Sequence, residues 1–322
     1  MRLLGLVLAI VLLGCSSQPK LIIKASSSCA VNEPAVKGLE VFGEEMSRRE
    51  SGGIQVEVYP NSALGSEREV VELTIIGAVE LTCPSNAPLA TFVPELMVFE
   101  LPYLFRDRQH LYRVLDGPIG QGFAEPLRRR GLRLLGYFDL GHRHLMTRDR
   151  VVEGIDHMKG LKIRTMENAL HLRAFEAFGA SPLPMAYGEV YTALEQGVID
   201  GAEAARTNYY AKRFHEVAPH WAEIGWMYIV SPLVMSERFY QALSVGQRQA
   251  VVEAARRAIE WEREEYQRQE ERAFDELRAA GVQMTAPARD RFVEAAEQVW
   301  RDSSDRVDPK LVEAILKSSG RK

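Results

Sequence analysis

The 322-residue sequence predicts a two-lobed α/β protein, and three features carry that reading. Short apolar runs alternate with helical patterns from Leu21 onward, and the same alternation resumes over roughly 141–203. From Ser244 a single helical pattern then continues to Gly281, which at 1.5 Å per residue is a rod of about 55 Å, longer than one lobe is wide. A composition with 46% hydrophobic and 26% charged residues can fill such cores, and it excludes a disordered chain or a polytopic membrane protein. Lys and Arg total 40 against 44 for Asp and Glu, so the net charge of −4 excludes nucleic acid as the main partner.

The first residues set the compartment. Arg2 precedes the apolar run from Leu3 to Gly14, which is shorter than the roughly 20 residues of a spanning helix and suited to the apolar segment of an export signal. Its end, Leu12-Leu13-Gly14-Cys15, is similar to a bacterial lipobox. Removal of residues 1–14 would leave Cys15 acylated at the head of a polar tether, residues 15–20, and anchor the protein to a membrane. An ordinary secretory signal with an incidental cysteine is the plainer alternative. Cys29 and Cys83 are then too few for a disulfide scaffold and lack CxxC spacing, although an oxidising compartment permits them to pair with each other.

Leu21 to Ser26 reads as a buried strand, and Val36, Leu39, Phe42 and Met46 recur at helical spacing before Gly52-Gly53. Ile54, Val56 and Val58 alternate as a second strand, completing a β-α-β unit. Ser66 to Glu69 forms a capping box for the next helix, and Val79 to Thr82 reads as a third strand. Such alternation implies a largely parallel sheet covered on both faces. The stretch from Pro102 to Gly131 reads as two helices, ending in Arg128-Arg129-Arg130-Gly131, where cations complement the negative end of the macrodipole and Gly closes the cap. Strands follow at Leu132–Phe138 and Leu161–Ile163, a helix capped by Asn168, a helix over Glu189–Gln196 and a strand at Val198–Asp200. Ser244 and Gln247 form the capping box of the long helix. Its middle, Glu260 to Arg272, is nearly all charge apart from Trp261 and Tyr266, which suits a strut bridging two lobes across solvent.

No GxGxxG loop after a strand, Walker A loop, GxSxG or HExxH motif is present, so binding is favoured over catalysis, with no cofactor and no metal expected. His142 and His144 flank Arg143 on one extended segment, but two imidazoles without a third ligand read as packing or surface residues. The arginines in strand-like segments are the positive signal. Arg164, in Leu161-Lys162-Ile163-Arg164-Thr165, stands near the C-terminal end of a strand, where open α/β sheets place ligands, and Arg143 stands similarly after the Leu132–Phe138 strand. A solvated face or a structural ion pair is the competing explanation for Arg164.

Several blocks now come together. Tyr59-Pro60-Asn61-Ser62, Leu64-Gly65-Ser66-Glu67, Leu101 to Phe105, Gly141-His142-Arg143, Gly160 to Arg164, Gly179 to Met185 and Glu189 to Gly201 occur in one order and spacing. With them the chain, from about Leu21 to Trp300, resembles the DctP-type substrate-binding proteins of tripartite ATP-independent periplasmic (TRAP) transporters. The resemblance implies a periplasmic-binding-protein-like fold with a ligand cleft between lobes. Residues 21–140 with about 226–250 would form lobe 1, 141–225 with about 270–322 lobe 2, and 244–280 the helix spanning both. It implies a carboxylate held by Arg164 through a bidentate fork, a second positive contact at Arg143, a cleft wall at Tyr187, a polar contact at Glu203, and Ser28 and Ser85 lining the same cleft. Ala204 stands where many members carry an Asn that reaches the ligand, and Ser85 where sialate-type members are acidic. The implied partners are a small organic acid, a compact hydroxy, keto or sugar acid, and the TRAP membrane subunits that receive it. An exported enzyme using Glu203 and Tyr187 as its acid/base pair is the alternative, and a ligand-sensing partner of a signalling receptor is a third reading.

Overall fold

The computed structural model describes residues 21–49 and 53–318. The expected export signal and the whole tether, Cys15 included, lie outside them. The first strand, β1 (Leu21–Ser26), leads into α1 (Pro34–Arg49), whose Val36, Leu39, Phe42 and Met46 are all buried, as their helical spacing requires. β2 (Ile54–Tyr59) and β3 (Leu81–Thr82) lie parallel to β1 on either side of it. Between them α2 (Glu67–Ile76) carries the expected capping box. The Ser66 amide donates to Glu69 at 2.8 Å, the Glu69 amide donates back to the Ser66 hydroxyl, and Gly77 closes the other end with φ of 80°.

After the short α3 (Asn86–Leu89), the stretch expected as two helices forms three, α4 (Arg108–Asp116), α5 (Pro118–Gln121) and α6 (Ala124–Arg129). Gly117 and the turn at Gly122-Phe123 divide them. The strand expected over Leu132–Phe138 is far longer: β4 runs from Leu132 to Thr147, so Arg143 lies within it and not beyond its end. β5 (Lys162–Thr165), α7 (Ala169–Ala177), β6 (Ser181–Pro184), α8 (Val190–Glu195) and β7 (Gly201–Ala204) build the second lobe. β7 begins where the expected Val198–Asp200 strand ends. α9 (Arg206–Ala211) follows, and β8 (His220–Ser236) returns the chain antiparallel to β4 along most of its length.

The sheet is therefore not largely parallel. Its order is β2-β1-β3-β8-β4-β7-β5-β6, with β9 (Gln283–Thr285) beside β8. Each lobe has a parallel set, and the two long antiparallel strands β4 and β8 join the sets into one sheet. Both long strands carry irregularities near their middles. Gly141, with φ of 86°, occupies the β4 irregularity, and a Cβ there would overlap the Tyr266 hydroxyl. Only glycine takes that backbone conformation freely and leaves that space.

α10 (Glu237–Ala242) precedes α11 (Val245–Ala279), the long helix, opened by the Ser244/Gln247 capping box. It packs on α1, β4 and α9, so it touches both lobes, but its middle is not a solvated strut. Glu262 and Tyr266 are buried, with Glu262 accepting from the Asp139 amide at 3.0 Å and Tyr266 sharing a hydrogen bond with Thr207 at 2.6 Å. α12 (Asp290–Arg301) lies on α7, whereas α13 (Pro309–Ser318), in the stretch expected with lobe 2, packs on α4. One buried cluster containing Ile23, Phe42, Phe138, Trp226 and Phe292 runs through both lobes. Cys29 and Cys83 are free thiols in the described structure, so the permitted disulfide does not form. Burial pushes the Cys83 thiol up to about 12, which makes it a small apolar core residue and not a reactive thiolate.

Candidate ligand-binding site

Arg164 projects from β5 and Arg143 from β4, and the sheet brings the two guanidinium groups to the same carboxylate, that of Glu203 on β7. Arg143 Nε donates to Glu203 Oε2 at 2.6 Å and its Nη2 to the Glu203 carbonyl at 2.9 Å. Arg164 Nη1 reaches Glu203 Oε1 at 3.3 Å, while its Nε and Nη2 both donate to the Met185 carbonyl at 2.9 and 2.8 Å. Arg164 and Arg143 are 2% and 4% exposed, and Glu203 is 1% exposed. Two cations thus share one buried anion. Burial and the neighbouring Arg143 charge hold the Arg164 guanidinium below its ordinary range against the pull of Glu203. Arg164 makes the ion pair that was its competing explanation, and it keeps an N–H on each terminal nitrogen beyond those bonds.

The cleft wall opposite comes from the first lobe. Ser28, Cys29, Ser85 and Glu67 line it together with Leu140, Arg143, Arg164, Tyr187 and Asn208. Both serine hydroxyls, expected to face a ligand directly, donate to Glu67 Oε1, Ser28 at 2.9 Å and Ser85 at 3.0 Å, and the Ser85 amide adds a third bond at 2.9 Å. Glu67 thereby places an acceptor carboxylate in the cleft across from the arginines. Tyr187 stands 5.9 Å from the Arg164 guanidinium, and its buried hydroxyl has no hydrogen-bond partner among the described residues. Burial and the Glu33 charge push that hydroxyl well above its ordinary range, so it remains protonated and a donor.

Asn208 joins the lobes. Its amide oxygen accepts from Arg143 Nη1 at 2.8 Å and from the Ala205 amide at 3.0 Å, and its Nδ2 donates to Glu33 Oε2 at 3.0 Å, across the cleft at the start of α1. Lys212 adds a second crossing to Asn61 at 2.9 Å.

The structure therefore gathers all six residues singled out from the sequence, with Glu203 behind the arginines and not on the cleft surface. Three participants escaped sequence reading: Glu67, Glu33 and Asn208. Glu67 stands in the Leu64-Gly65-Ser66-Glu67 block, between the two residues of the Ser66/Glu69 capping box, where nothing local marks it as a cleft residue. Nothing local marks Glu33 or Asn208, whose roles depend on a contact between residues 175 positions apart.

The model of the family described as DctP, bacterial extracellular solute-binding protein, family 7, matches residues 25–306. The chain belongs to this family. Among its DctP-family relatives, a solute-binding protein of Verminephrobacter eiseniae is 36% identical over 255 residues, covering 79% of this chain and 76% of the relative. The sugar acid binding protein DctPAm of Advenella mimigardefordensis, solved in complex with galactonate, superposes with a TM-score of 0.92 at 27% identity, covering 94% of this chain and 98% of that one. A TRAP periplasmic solute binding protein of Chromohalobacter salexigens with bound D-glucuronate gives 0.88 at 29% identity, covering 92% and 99%. The fold is that of the two-lobed binding proteins of TRAP transporters, and family and neighbours are binding proteins, not enzymes. The exported-enzyme alternative finds no support there. Nor does the geometry favour it, since Glu203, the base it would need, is already engaged by two arginines.

Proposed function

We propose that this DctP-family protein is the receptor for a sugar acid carrying one carboxylate and several hydroxyls, which it delivers to TRAP membrane subunits. The observation that carries the reading is the pair of buried guanidinium groups converging on Glu203, each of which keeps N–H donors on its terminal nitrogens for a ligand carboxylate. A bidentate anion at the remaining Arg164 and Arg143 donors gains charge-assisted hydrogen bonds in a site largely closed from water. Glu67 supports the rest of the ligand's description. A carboxylate facing the arginines accepts from hydroxyl groups, whereas a second ligand carboxylate would meet it as a like charge. This favours an aldonate or uronate over a C4-dicarboxylate, in line with the galactonate and glucuronate held by the two structural neighbours. Tyr187 would close over the anion as a neutral donor, and Glu203 would orient the two arginines from behind.

A thermal-shift panel tests this. Galactonate or glucuronate should raise the unfolding temperature, while succinate, galactose and free amino acids should not. Stabilisation by succinate or a neutral sugar alone would contradict it.

We further infer, from the Leu12-Leu13-Gly14-Cys15 sequence, that the mature protein is tethered to the membrane through an acylated Cys15. Cys15→Ser should release the protein into the soluble fraction on detergent-free cell fractionation, and equal membrane retention of parent and variant would refute the anchor.

A further inference from the structure

Residues His142 and Arg143 are neighbours on β4, and successive side chains of a strand point to opposite faces of its sheet. Arg143 faces the cleft. His142 lines a separate cavity of about 640 Å³ on the other face, also bounded by Tyr103, Tyr228, Val293, Trp300 and Leu316. We propose that this cavity is a second ligand site, one that takes an aromatic monocarboxylate.

The walls are mostly rings, and they are already fixed. His142 and Tyr228, cross-strand partners on β4 and β8, stack in parallel with centroids 4.2 Å apart. Trp300 donates its indole N–H to the Pro102 carbonyl at 2.8 Å, and the Tyr103 hydroxyl donates to the Ile224 carbonyl at 3.2 Å. The polar atoms of Trp300 and Tyr103 are thus engaged with backbone, and what these two side chains offer the cavity is ring surface, which favours flat aromatic guests. The volume falls within the roughly 300–1,000 Å³ of small-molecule sites, which are typically apolar with a few orienting polar groups.

The orienting group is Arg289. Of the other cations at the rim, Lys317 pairs with Glu313 at 2.6 Å and Arg106 with Asp107 at 2.7 Å. Arg289 lies against Gly225, where any Cβ would collide with its guanidinium and with the His142 ring, and its side chain makes no hydrogen bond or ion pair among the described residues. An anion beside it would gain a charge-assisted contact that nothing in the described protein supplies. His142, held neutral by burial and by the Arg289 charge, adds no competing cation.

Equilibrium dialysis with 2-naphthoate, read by its fluorescence, tests the site. The parent should bind one equivalent saturably, and so should Arg164→Lys, in which the main cleft is disabled. Arg289→Gln should weaken binding about tenfold, the loss of one charge-assisted contact. Val293→Trp, on the exposed flank of α12, should weaken it by crowding the cavity wall. Should Val293→Trp fail to fold, Arg289→Gln decides alone, since its side chain is exposed. No saturable binding, loss of binding in Arg164→Lys, or unchanged binding in Arg289→Gln would overturn the proposal. Displacement by octanoate as effective as by benzoate would overturn its aromatic part.

Discussion

Arg143 Nε lies 2.6 Å from Glu203 Oε2, with both residues almost wholly buried, and the other oxygen of the same carboxylate faces Arg164. Removing the anion leaves two buried cations to repel each other. Glu203→Gln should therefore lower the stability of the unliganded protein by about 3–5 kcal/mol, the usual cost of breaking a buried pair from one side. A sugar acid should then recover more stability in the variant than in the parent, because its carboxylate replaces the missing charge. Thermal unfolding with and without galactonate measures both effects, and an unliganded variant as stable as the parent would contradict them.

The hydrogen bond from Asn208 to Glu33 crosses the cleft, so it forms only when the lobes are together. A contact confined to the closed state raises ligand affinity by favouring closure. Asn208→Ala removes three hydrogen bonds, of which only the one to Glu33 crosses between the lobes, and that one should be worth about a tenfold loss of galactonate affinity. It should also enlarge the unliganded protein in solution scattering. Unchanged affinity with unchanged dimensions would show that the bond does not hold the lobes closed.

Glu262, on the long helix, is buried beside Asp139, and burial, then the Asp139 charge, raises its carboxyl well above the ordinary 4.5, against the pull of Arg263 and Arg108. A carboxyl whose folded value is raised favours folding fully below its unfolded value and loses that contribution as pH rises through the folded value. Glu262→Gln keeps an acceptor for the Asp139 amide and removes the charge. The variant should match the parent near pH 4 and exceed it increasingly toward pH 8. Urea denaturation across that range checks the trend, and a variant that loses ground as pH rises would reverse the assignment.

Local chemistry was legible in the sequence wherever it is local in the fold. The capping boxes at Ser66 and Ser244, the buried stripe of α1 and the Asn168 cap all form as their spacing requires. Arg164 was legible from its place at a strand end. β8 was not, because it is buried along nearly all its length and so shows no alternation, and Gly225 and Pro232 interrupt its pattern. β6, with Pro182 and Pro184, is an edge strand whose composition argues against a strand. Without β8 the antiparallel join between lobes was invisible, and with it the reason Arg143 lies inside a strand. The buried polar middle of α11 is hidden from the sequence for a related reason, since Glu262 and Tyr266 find partners on β4 and α9 that no helix periodicity reveals.

The central claim is that Arg164 anchors a sugar-acid carboxylate through the fork of its guanidinium. Isothermal titration calorimetry of the parent and Arg164→Lys, with whichever of galactonate or glucuronate stabilises the parent, tests it most directly. Lysine keeps the charge and loses the planar two-pronged contact, so the dissociation constant should rise at least about a hundredfold, the loss of two charge-assisted hydrogen bonds. The variant's unfolding temperature without ligand should stay within a few degrees of the parent's. Near-parental affinity in a folded Arg164→Lys protein would place the anchor elsewhere and contradict the account.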